Sequence, residues 1–299
     1  MTDGAGTHSP ESLDDLVTEA GGAAEADYER HRTIELVQLM SAEDATVPVA
    51  VGEEAGSIAA AIDAVVDRLA AGGRLIYVGA GTSGGLAALD ARECERTFST
   101  PPGQVVAVSA DEAAAEDDAE AGAAALLELR VSAADAVVGI SASGRTPFVL
   151  GALQAAADAD AATIAVVSSA ESELARLADH EIAVVVGAEF VAGSTRLKAG
   201  TAQKLVLNAI STIAMIRLGK TFGNLMVDVA AANEKLRARV HRIVRTATGA
   251  SSADVDEALE AAEGDAKVAI VSILAGVGAD AARTRLSAAN GNVRRALTR

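Results

Sequence analysis

The sequence has little cysteine and few aromatic side chains. Cys94 is the only thiol among 299 residues, tryptophan is absent, and Phe and Tyr together number six. One cysteine excludes an internal disulfide and a cysteine-based zinc or iron–sulfur site. No apolar run reaches the roughly 20 residues that a membrane helix needs, and the acidic, polar start resembles neither a secretory signal nor a transit peptide. We therefore expect a cytoplasmic protein that does not enter a membrane.

Positive charge is scarce as well. Lys and Arg number 25 against 42 Asp and Glu, which gives a formal charge of −17. This excess repels a phosphate backbone, and no cluster of basic residues offsets it, so we expect no nucleic-acid partner. The length allows one large domain, or a large and a small one.

Short apolar runs alternate with Ala-rich helical segments over residues 73–188. The runs span residues 75–78, 105–108, 136–140, 163–167 and 182–186. Buried strands separated by helices are typical of α/β proteins with a parallel sheet. The pattern predicts a doubly wound parallel sheet of five strands with helices on both faces.

Helical patterns flank this sheet on both sides. The prediction divides the chain into a disordered tail, an N-terminal helical segment, an α/β domain and a small all-helical C-terminal subdomain, with boundaries at 1–12, 13–52, 53–223 and 224–299. Within the α/β domain a long helix is expected at 197–218. No strand-like run is found after Asn224, and the expected helices there are 253–262, 265–275 and 279–288.

A glycine-rich turn follows the first predicted strand. Residues 79–84 read GAGTSG and match G-x-G-x-x-G between a strand and a helix. Such a turn presents backbone N–H groups and a helix N-terminus to an anion, which makes Thr82, Ser83 and Gly84 candidate ligands. A dinucleotide site would need an acid about 20 residues further on, and the nearest, Asp111, is about 30 away. The alternative is that the glycines only let the helix pack on the strand.

A second polar loop, residues 141–147 (SASGRTP), follows the third predicted strand. Ser141, Ser143, Arg145 and Thr146 supply hydrogen-bond donors, and Pro147 suits the first turn of a helix. A dinucleotide does not require this second loop, whereas a sugar phosphate at the carboxyl ends of adjacent strands does. Simple helix capping is the alternative.

A third polar cluster, residues 193–204, opens the long predicted helix. Arg196, Lys198 and Lys204 concentrate positive charge where the helix dipole disfavours cations, which suggests an anion nearby. Pairing with surface acids is the alternative. Ser194 and Thr195 belong to the same cluster.

Candidate acid–base groups are carboxylates, since all four histidines lie away from these loops. Glu93 follows the first loop, near the end of the next predicted helix. Residues 111–120 contain six acids, a composition that by itself is typical of a solvated face.

Four stretches carry a family resemblance. They are RLIYVGAGTSG at 74–84, LDAREC at 89–94, GISASGRTP at 139–147 and the long run 193–228, with NEKL at 233–236 continuing the match. The sequence resembles the N-acetylmuramic acid 6-phosphate etherase family of sugar isomerase (SIS) folds, which bind phosphosugars and are related to the glucokinase regulatory protein.

The resemblance implies a carbon–oxygen lyase that works as a homodimer without metal or redox cofactor. The family reaction removes the D-lactyl ether of N-acetylmuramic acid 6-phosphate by elimination and then hydration, giving N-acetylglucosamine 6-phosphate and D-lactate. A non-catalytic sugar-phosphate sensor and a phosphosugar isomerase are the alternatives on the same fold.

The family motifs also imply residue roles. Glu93 matches the family's acid, and Glu116 matches its second carboxylate, with Glu112, Asp117 and Glu120 as alternatives because the segment before it is shorter than in the family. The implied phosphate ligands are Ser83, Ser141, Ser143 and Thr146, and Ser194, Thr195 and Lys198 are expected to close the site. Gly85 stands where the family has arginine.

Overall fold

The computed structural model describes residues 27–110, 113–228 and 234–298. The expected disordered tail and the beginning of the N-terminal helical segment lie outside these residues. None of the helices within the described ranges is both long and apolar enough to cross a membrane.

Five parallel strands form the central sheet in the order β2-β1-β3-β4-β5. Their bounds are β1 Leu75–Ala80, β2 Val105–Ala110, β3 Ala136–Ile140, β4 Ala162–Val167 and β5 His180–Ala183. β3 and β4 are buried along their whole length, which explains why their sequences are apolar apart from Thr163, whose hydroxyl donates to Asp179. Helices cover both faces, so the expected doubly wound fold is confirmed.

Fourteen α-helices lie in the described ranges, besides the 3₁₀ helix Tyr28–Arg30. Before and around the sheet they are α1 Thr33–Asp44, α2 Val47–Glu53, α3 Ala55–Ala70, α4 Gly81–Phe98, α5 Ala113–Glu116, α6 Ala119–Glu128, α7 Pro147–Asp158, α8 Glu173–Leu177 and α9 Lys198–Arg217. After the sheet they are α10 Glu234–Thr248, α11 Ser252–Ala261, α12 Ala266–Ala275, α13 Ala279–Ala288 and α14 Val293–Leu297. The three C-terminal helices expected from the sequence correspond to α11, α12 and α13.

Two strand predictions need correction. The last strand of the sheet spans His180–Ala183 rather than residues 182–186, because it pairs with β4 from Ile164 to Val167, where β4 ends. The chain then turns at Gly187, where φ is +72°. A two-stranded hairpin, β6 Thr221–Phe222 and β7 Leu225–Met226, also lies partly in the region expected to lack strands. Strands of two residues are too short to produce a periodic apolar pattern.

The C-terminal helices have a hydrophobic core of their own, built around Val244, Val255, Ile270 and Leu286. This core is distinct from the two clusters that cover the faces of the sheet. The described residues after the sheet thus form a helical region, while the domain boundaries at 53 and 224 stay predictions.

The strand order determines which loops meet. β1 lies between β2 and β3, with Ala80 opposite Ala110 and Gly79 opposite Ile140. This is the point at which the strand order reverses, and ligands of open α/β sheets bind outside the carboxyl ends of the strands there. The fold therefore brings the first two polar loops, and the chain after β2, to one edge.

The opposite edge of the same strands carries an ion pair. The Arg74 guanidinium donates two hydrogen bonds to Asp135, with Nη2 2.7 Å from Oδ2 and Nε 3.0 Å from Oδ1. The backbone N–H groups of Arg74 and Ser132 each donate to this carboxylate over 3.0 Å. Burial opposes ionisation of Asp135, but these bonds outweigh it and lower its pKa.

Candidate active site

The first polar turn is the beginning of a helix. α4 starts at Gly81, directly after β1 ends at Ala80. Thr82 is exposed and Ser83 half-buried, so both hydroxyls can reach a ligand. Gly84 is buried, and a Cβ there would lie 2.1 Å from Ser109 Oγ. Close packing thus requires glycine at position 84. Substrate binding by the backbone of Gly84 stays a prediction.

Glu116 lies against this turn. Its Oε1 is 3.0 Å from the position that a Cβ at Gly81 would occupy, and Gly81 has a φ of +52°. Glycine at 81 therefore both permits the turn and leaves room for the carboxylate. Of the alternatives, Asp117 and Glu120 are exposed, and Glu112 lies outside the described residues.

Three hydroxyl groups converge in the second loop. Ser141 Oγ lies 2.8 Å from Thr146 Oγ1 and 3.4 Å from Ser143 Oγ. The backbone N–H groups of Gly144 and Arg145 donate to Ser141 Oγ and Ser143 Oγ, over 3.1 and 3.3 Å. Thr146 directly precedes α7, so the cluster lies at a helix N-terminus, where an anion is stabilised. Hydroxyls in this arrangement can rotate to donate to phosphate oxygens.

The long helix α9 brings the third polar cluster to the first turn. A Cβ at Gly200 would lie 3.5 Å from the Thr82 methyl group, and Ser83 Oγ donates to Gln203 Oε1 over 2.9 Å. The backbone of Thr195 joins this contact, because Gly200 N–H donates to its carbonyl over 2.8 Å. Ser194, one residue earlier, is half-buried.

Lys198 points to a different part of the fold. It is buried, and its Nζ donates to Glu43 Oε2 on α1 over 2.8 Å. It borders a cavity of about 410 Å³ beside the stacked rings of Tyr28 and Phe190. In this structure the ammonium group of Lys198 is thus paired with an acid. For Lys198, this agrees with the alternative interpretation of the basic cluster, pairing with surface acids.

Glu93 lies on the side of α4 that contacts α9. Lys204 Nζ is 3.4 Å from Glu93 Oε2 and 3.7 Å from Asp90 Oδ1. Asp90 is buried and also accepts hydrogen bonds from Tyr77 over 3.0 Å and from Ser211 over 3.3 Å. The Glu93 side chain is 56% exposed, so Lys204 is its main restraint among the described contacts.

Burial shifts the pKa of two side chains on α4 near Glu93. It raises the pKa of Asp90 above the ordinary value, against the opposing effect of its hydroxyl partners and Lys204. It also raises the pKa of the Cys94 thiol to about 12. Cys94 is therefore a neutral core residue at physiological pH and not a nucleophile.

The two candidate carboxylates are far apart within one chain. Glu93 lies twelve residues after Gly81 on the continuous helix α4. At 1.5 Å per residue this corresponds to about 18 Å along the helix axis. Glu116 is at the Gly81 end, so one chain does not bring both carboxylates to adjacent atoms of one sugar.

The sequence signals no role for Asp90 or Gln203, whereas Lys204 belongs to the basic cluster that suggests a nearby anion. Asp90 is three residues before Glu93, a spacing that places two side chains on one helix face. Within the described ranges, no three His, Cys, Asp or Glu side chains converge closely enough to hold a metal ion.

The fold and the hydroxyl-lined edge of the sheet define an SIS-type α/β protein. The chain is similar to a phosphoheptose isomerase from Francisella tularensis, with a TM-score of 0.52 and 17% identity over 62% of this chain and all of the other. A putative phosphosugar isomerase from Bacteroides fragilis gives a TM-score of 0.50 at 19% identity, over 62% of this chain and 91% of the other. Residues 57–157 match the family model of the glucokinase regulatory protein N-terminal SIS domain.

Full-length relatives identify the family. An N-acetylmuramic acid 6-phosphate etherase from Rubrobacter xylanophilus is 56% identical over 96% of this chain and 97% of its own length. The enzyme of that name from Streptomyces coelicolor is 51% identical over 97% of both chains. The chain belongs to the N-acetylmuramic acid 6-phosphate etherase family.

Proposed function

We propose that this chain is a carbon–oxygen lyase that cleaves the D-lactyl ether of N-acetylmuramic acid 6-phosphate. The products are N-acetylglucosamine 6-phosphate and D-lactate. The main observation behind this proposal is the position of the Glu116 carboxylate against the first turn of α4. The hydroxyl cluster of the second loop follows β3, which pairs with β1, and therefore lies at the same edge of the sheet. Family membership supplies the substrate class.

The reaction starts from the open-chain form of the sugar, whose C1 aldehyde acidifies the proton on C2. One carboxylate removes that proton, the C3–O ether bond breaks, and D-lactate leaves with a proton from the second carboxyl group. Water then adds its oxygen to C3 of the unsaturated aldehyde while C2 regains a proton. Each proton transfer by a positioned carboxyl group contributes about 10²- to 10⁴-fold. We assign the two carboxyl groups to Glu93 and Glu116.

The hydroxyl cluster is proposed to hold the 6-phosphate. Ser141, Ser143 and Thr146 lie at the N-terminus of α7, where the helix dipole adds to their hydrogen bonds. Thr82, Ser83 and the backbone at Gly84 face the same edge from α4, and Arg145 supplies the positive charge. Ser194, Thr195 and Lys198 are proposed to close the site, which for Lys198 requires its ammonium group to leave Glu43.

We propose that the active unit is a homodimer that shares its sites. The base and the acid must reach C2 and C3, which are bonded to each other, yet Glu93 lies about 18 Å along α4 from Gly81 and Glu116. A second copy that presents its own Glu93 to the first copy's phosphate cradle, defined as the hydroxyl cluster of the second loop together with the first turn of α4, removes this separation. Exposed apolar side chains support such an interface: no residue of α1 is buried, and Ile34 and Val37 are each 54% exposed.

A cytoplasmic location is part of the same proposal. Its support is the single, buried thiol, together with a phosphorylated substrate that does not diffuse through a membrane.

The proposal is tested by incubating purified protein with N-acetylmuramic acid 6-phosphate in deuterated buffer. We expect D-lactate in amounts equal to N-acetylglucosamine 6-phosphate, with one deuterium at C2 of the sugar. Deuterium at C2 follows from proton removal and return, and a direct displacement at C3 would leave C2 unlabelled.

Glu116→Gln is the matched control, because it keeps the shape of the side chain and removes the ionisable group. Full turnover in this variant would show that the carboxylate is wrongly assigned. Sugar-phosphate binding without lactate release by the folded wild type would contradict the lyase proposal and favour a sensor.

A further inference from the structure

Gln203 occupies an unusual position between α9 and the first turn of α4. Its side chain is only 2% exposed, and its Oε1 accepts the hydrogen bond from Ser83 Oγ. The other end of the amide, Nε2, is buried without a hydrogen-bond partner among the described residues. A buried amide donor without a partner is destabilising, and native proteins rarely keep one without a use.

The orientation of this amide determines what Ser83 can offer a ligand. A serine hydroxyl has a single hydrogen to donate. While that hydrogen points to Gln203 Oε1, Ser83 presents only lone pairs towards the cradle. Phosphate oxygens at neutral pH are acceptors, so this arrangement of Ser83 does not suit them.

Rotation of the Gln203 side-chain amide by half a turn exchanges the positions of Oε1 and Nε2. Nε2 would then donate to Ser83 Oγ, and the Ser83 hydrogen would be free to point into the cradle. Nε2, which had no partner, would then be hydrogen-bonded. Oε1 would take its place as the buried atom without a partner, which is less costly because unsatisfied carbonyl oxygens are better tolerated than unsatisfied N–H groups.

We propose that Gln203 is a positioning residue that sets the donor direction of Ser83, and that binding of a 6-phosphosugar selects the orientation in which Ser83 donates to the phosphate. This inference rests on the proposed function, since it takes the phosphate of the sugar as the ligand. It assigns the Gln203 side chain to the binding site although no substrate atom needs to touch it.

The test compares two substitutions of Gln203. Gln203→Glu keeps the size of the side chain but can only accept, so it holds the Ser83 hydrogen away from the ligand. Gln203→Met removes both functions and leaves that hydrogen free. Calorimetric titration with N-acetylglucosamine 6-phosphate is expected to show about 10- to 100-fold weaker binding for Gln203→Glu, and a smaller loss for Gln203→Met. The titration is run from about pH 7 to about pH 9, and the loss of affinity in Gln203→Glu is expected to grow as the buried carboxyl ionises.

A double-mutant cycle with Ser83→Ala separates this effect from simple charge repulsion. In the Ser83→Ala background, Gln203→Glu has no hydroxyl to misdirect, so its effect on the dissociation constant should fall to the small repulsive part. Asn208→Asp makes the same amide-to-carboxylate change at an exposed position of the same helix, and we expect it to leave binding unchanged. Thermal denaturation verifies that each variant is folded.

The outcomes are distinct. If the wild type binds the sugar phosphate but the cycle is additive, or if Gln203→Met binds as weakly as Gln203→Glu, then Gln203 has only a structural role and the inference is wrong. If the wild type does not bind the sugar phosphate, the proposed function itself fails.

Discussion

The two ends of the strand pair β1 and β3 differ in how their polar groups are satisfied. At the amino end, Asp135 accepts from the Arg74 guanidinium and from two backbone N–H groups, so its charge is fully compensated. At the carboxyl end, three hydroxyls contact one another and accept from two backbone N–H groups, and Gln203 Nε2 has no partner among the described residues. The same two strands thus carry a completed network at one edge and an incomplete one at the other.

This difference indicates what each edge contributes. Satisfied hydrogen bonds stabilise the folded chain, whereas donors without a partner favour binding of a ligand that carries hydrogen-bond acceptors. We therefore expect changes at the amino end to lower stability with little effect on catalysis, and changes at the carboxyl end to do the reverse.

The largest effect is expected for Glu116→Gln. The variant loses the ionisable group at the first turn of α4, so kcat should fall by about 10²- to 10⁴-fold. Because Glu116 is half-buried and in a short helix, the urea midpoint should hardly change. Steady-state lactate release and urea unfolding measure the two quantities. A large loss of stability in this variant would break the contrast between the edges.

At the opposite edge, Asp135→Asn should lower the free energy of unfolding by about 2 kcal/mol, because Arg74 loses a charged acceptor in a partly buried site. The KM and kcat of the folded enzyme should match the wild type. Urea unfolding at neutral pH tests the first expectation, and lactate kinetics the second. A changed KM would mean that the two edges are coupled.

The Asp135 effect should depend on pH. The folded-state pKa of Asp135 lies below its ordinary value, so its ionised form stabilises the fold above the unfolded pKa, and this contribution is lost as the pH falls through the folded pKa. The difference in unfolding free energy between wild type and Asp135→Asn should therefore be constant near neutral pH and shrink below about pH 4. A difference that stays constant down to pH 2, with both proteins still folded, would contradict the assigned cause.

Ser143→Ala should raise KM by about 10-fold, since one hydrogen bond to a charged phosphate is lost. kcat should change less, because the phosphate is remote from C2 and C3. The matched variant is Ser132→Ala, which removes a hydroxyl 3.4 Å from Asp135 at the opposite edge. Its KM should equal that of the wild type, and equal KM changes in both variants would remove the basis for calling Ser143 a phosphate ligand.

The smallest effect is expected for Lys204→Met. Lys204 restrains the exposed Glu93 side chain, so its loss should reduce kcat by about 3- to 5-fold and leave KM unchanged, with part of the activity restored in Lys204→Arg. Arg217→Met is the control on the same helix, since Arg217 forms an exposed pair with Asp63 over 3.9 Å. A KM effect in Lys204→Met would instead place this lysine among the phosphate ligands.

Much of the fold follows from the sequence because the three central strands, β1, β3 and β4, are buried on both faces. The expected strand at 136–140 coincides with β3, and the expected helix at 197–218 is α9 within one residue at each end. The hairpin at Thr221–Met226 was missed because each of its strands has only two residues, which is too few for a period.

The candidate site could be predicted only in part. The loops that end β1 and β3 are recognisable as sequence motifs, and the strand order explains why they meet. The separation of Glu93 from Glu116 could not be predicted, because it depends on the Glu116 carboxylate packing against Gly81 at the start of α4, a contact between segments distant in sequence. The unpartnered amide of Gln203 follows from packing between two helices distant in sequence, which no local pattern encodes.

The central claim is that one site combines carboxylates from two copies of the chain, and complementation tests it most directly. Glu93→Gln and Glu116→Gln are purified separately as inactive proteins, mixed in equal amounts, and allowed to exchange subunits. If the sites are shared, half of the dimers carry one intact site, and the mixture should recover about a quarter of the wild-type lactate release. If each site belongs to one chain, no intact site forms and the mixture stays inactive, which would contradict the account.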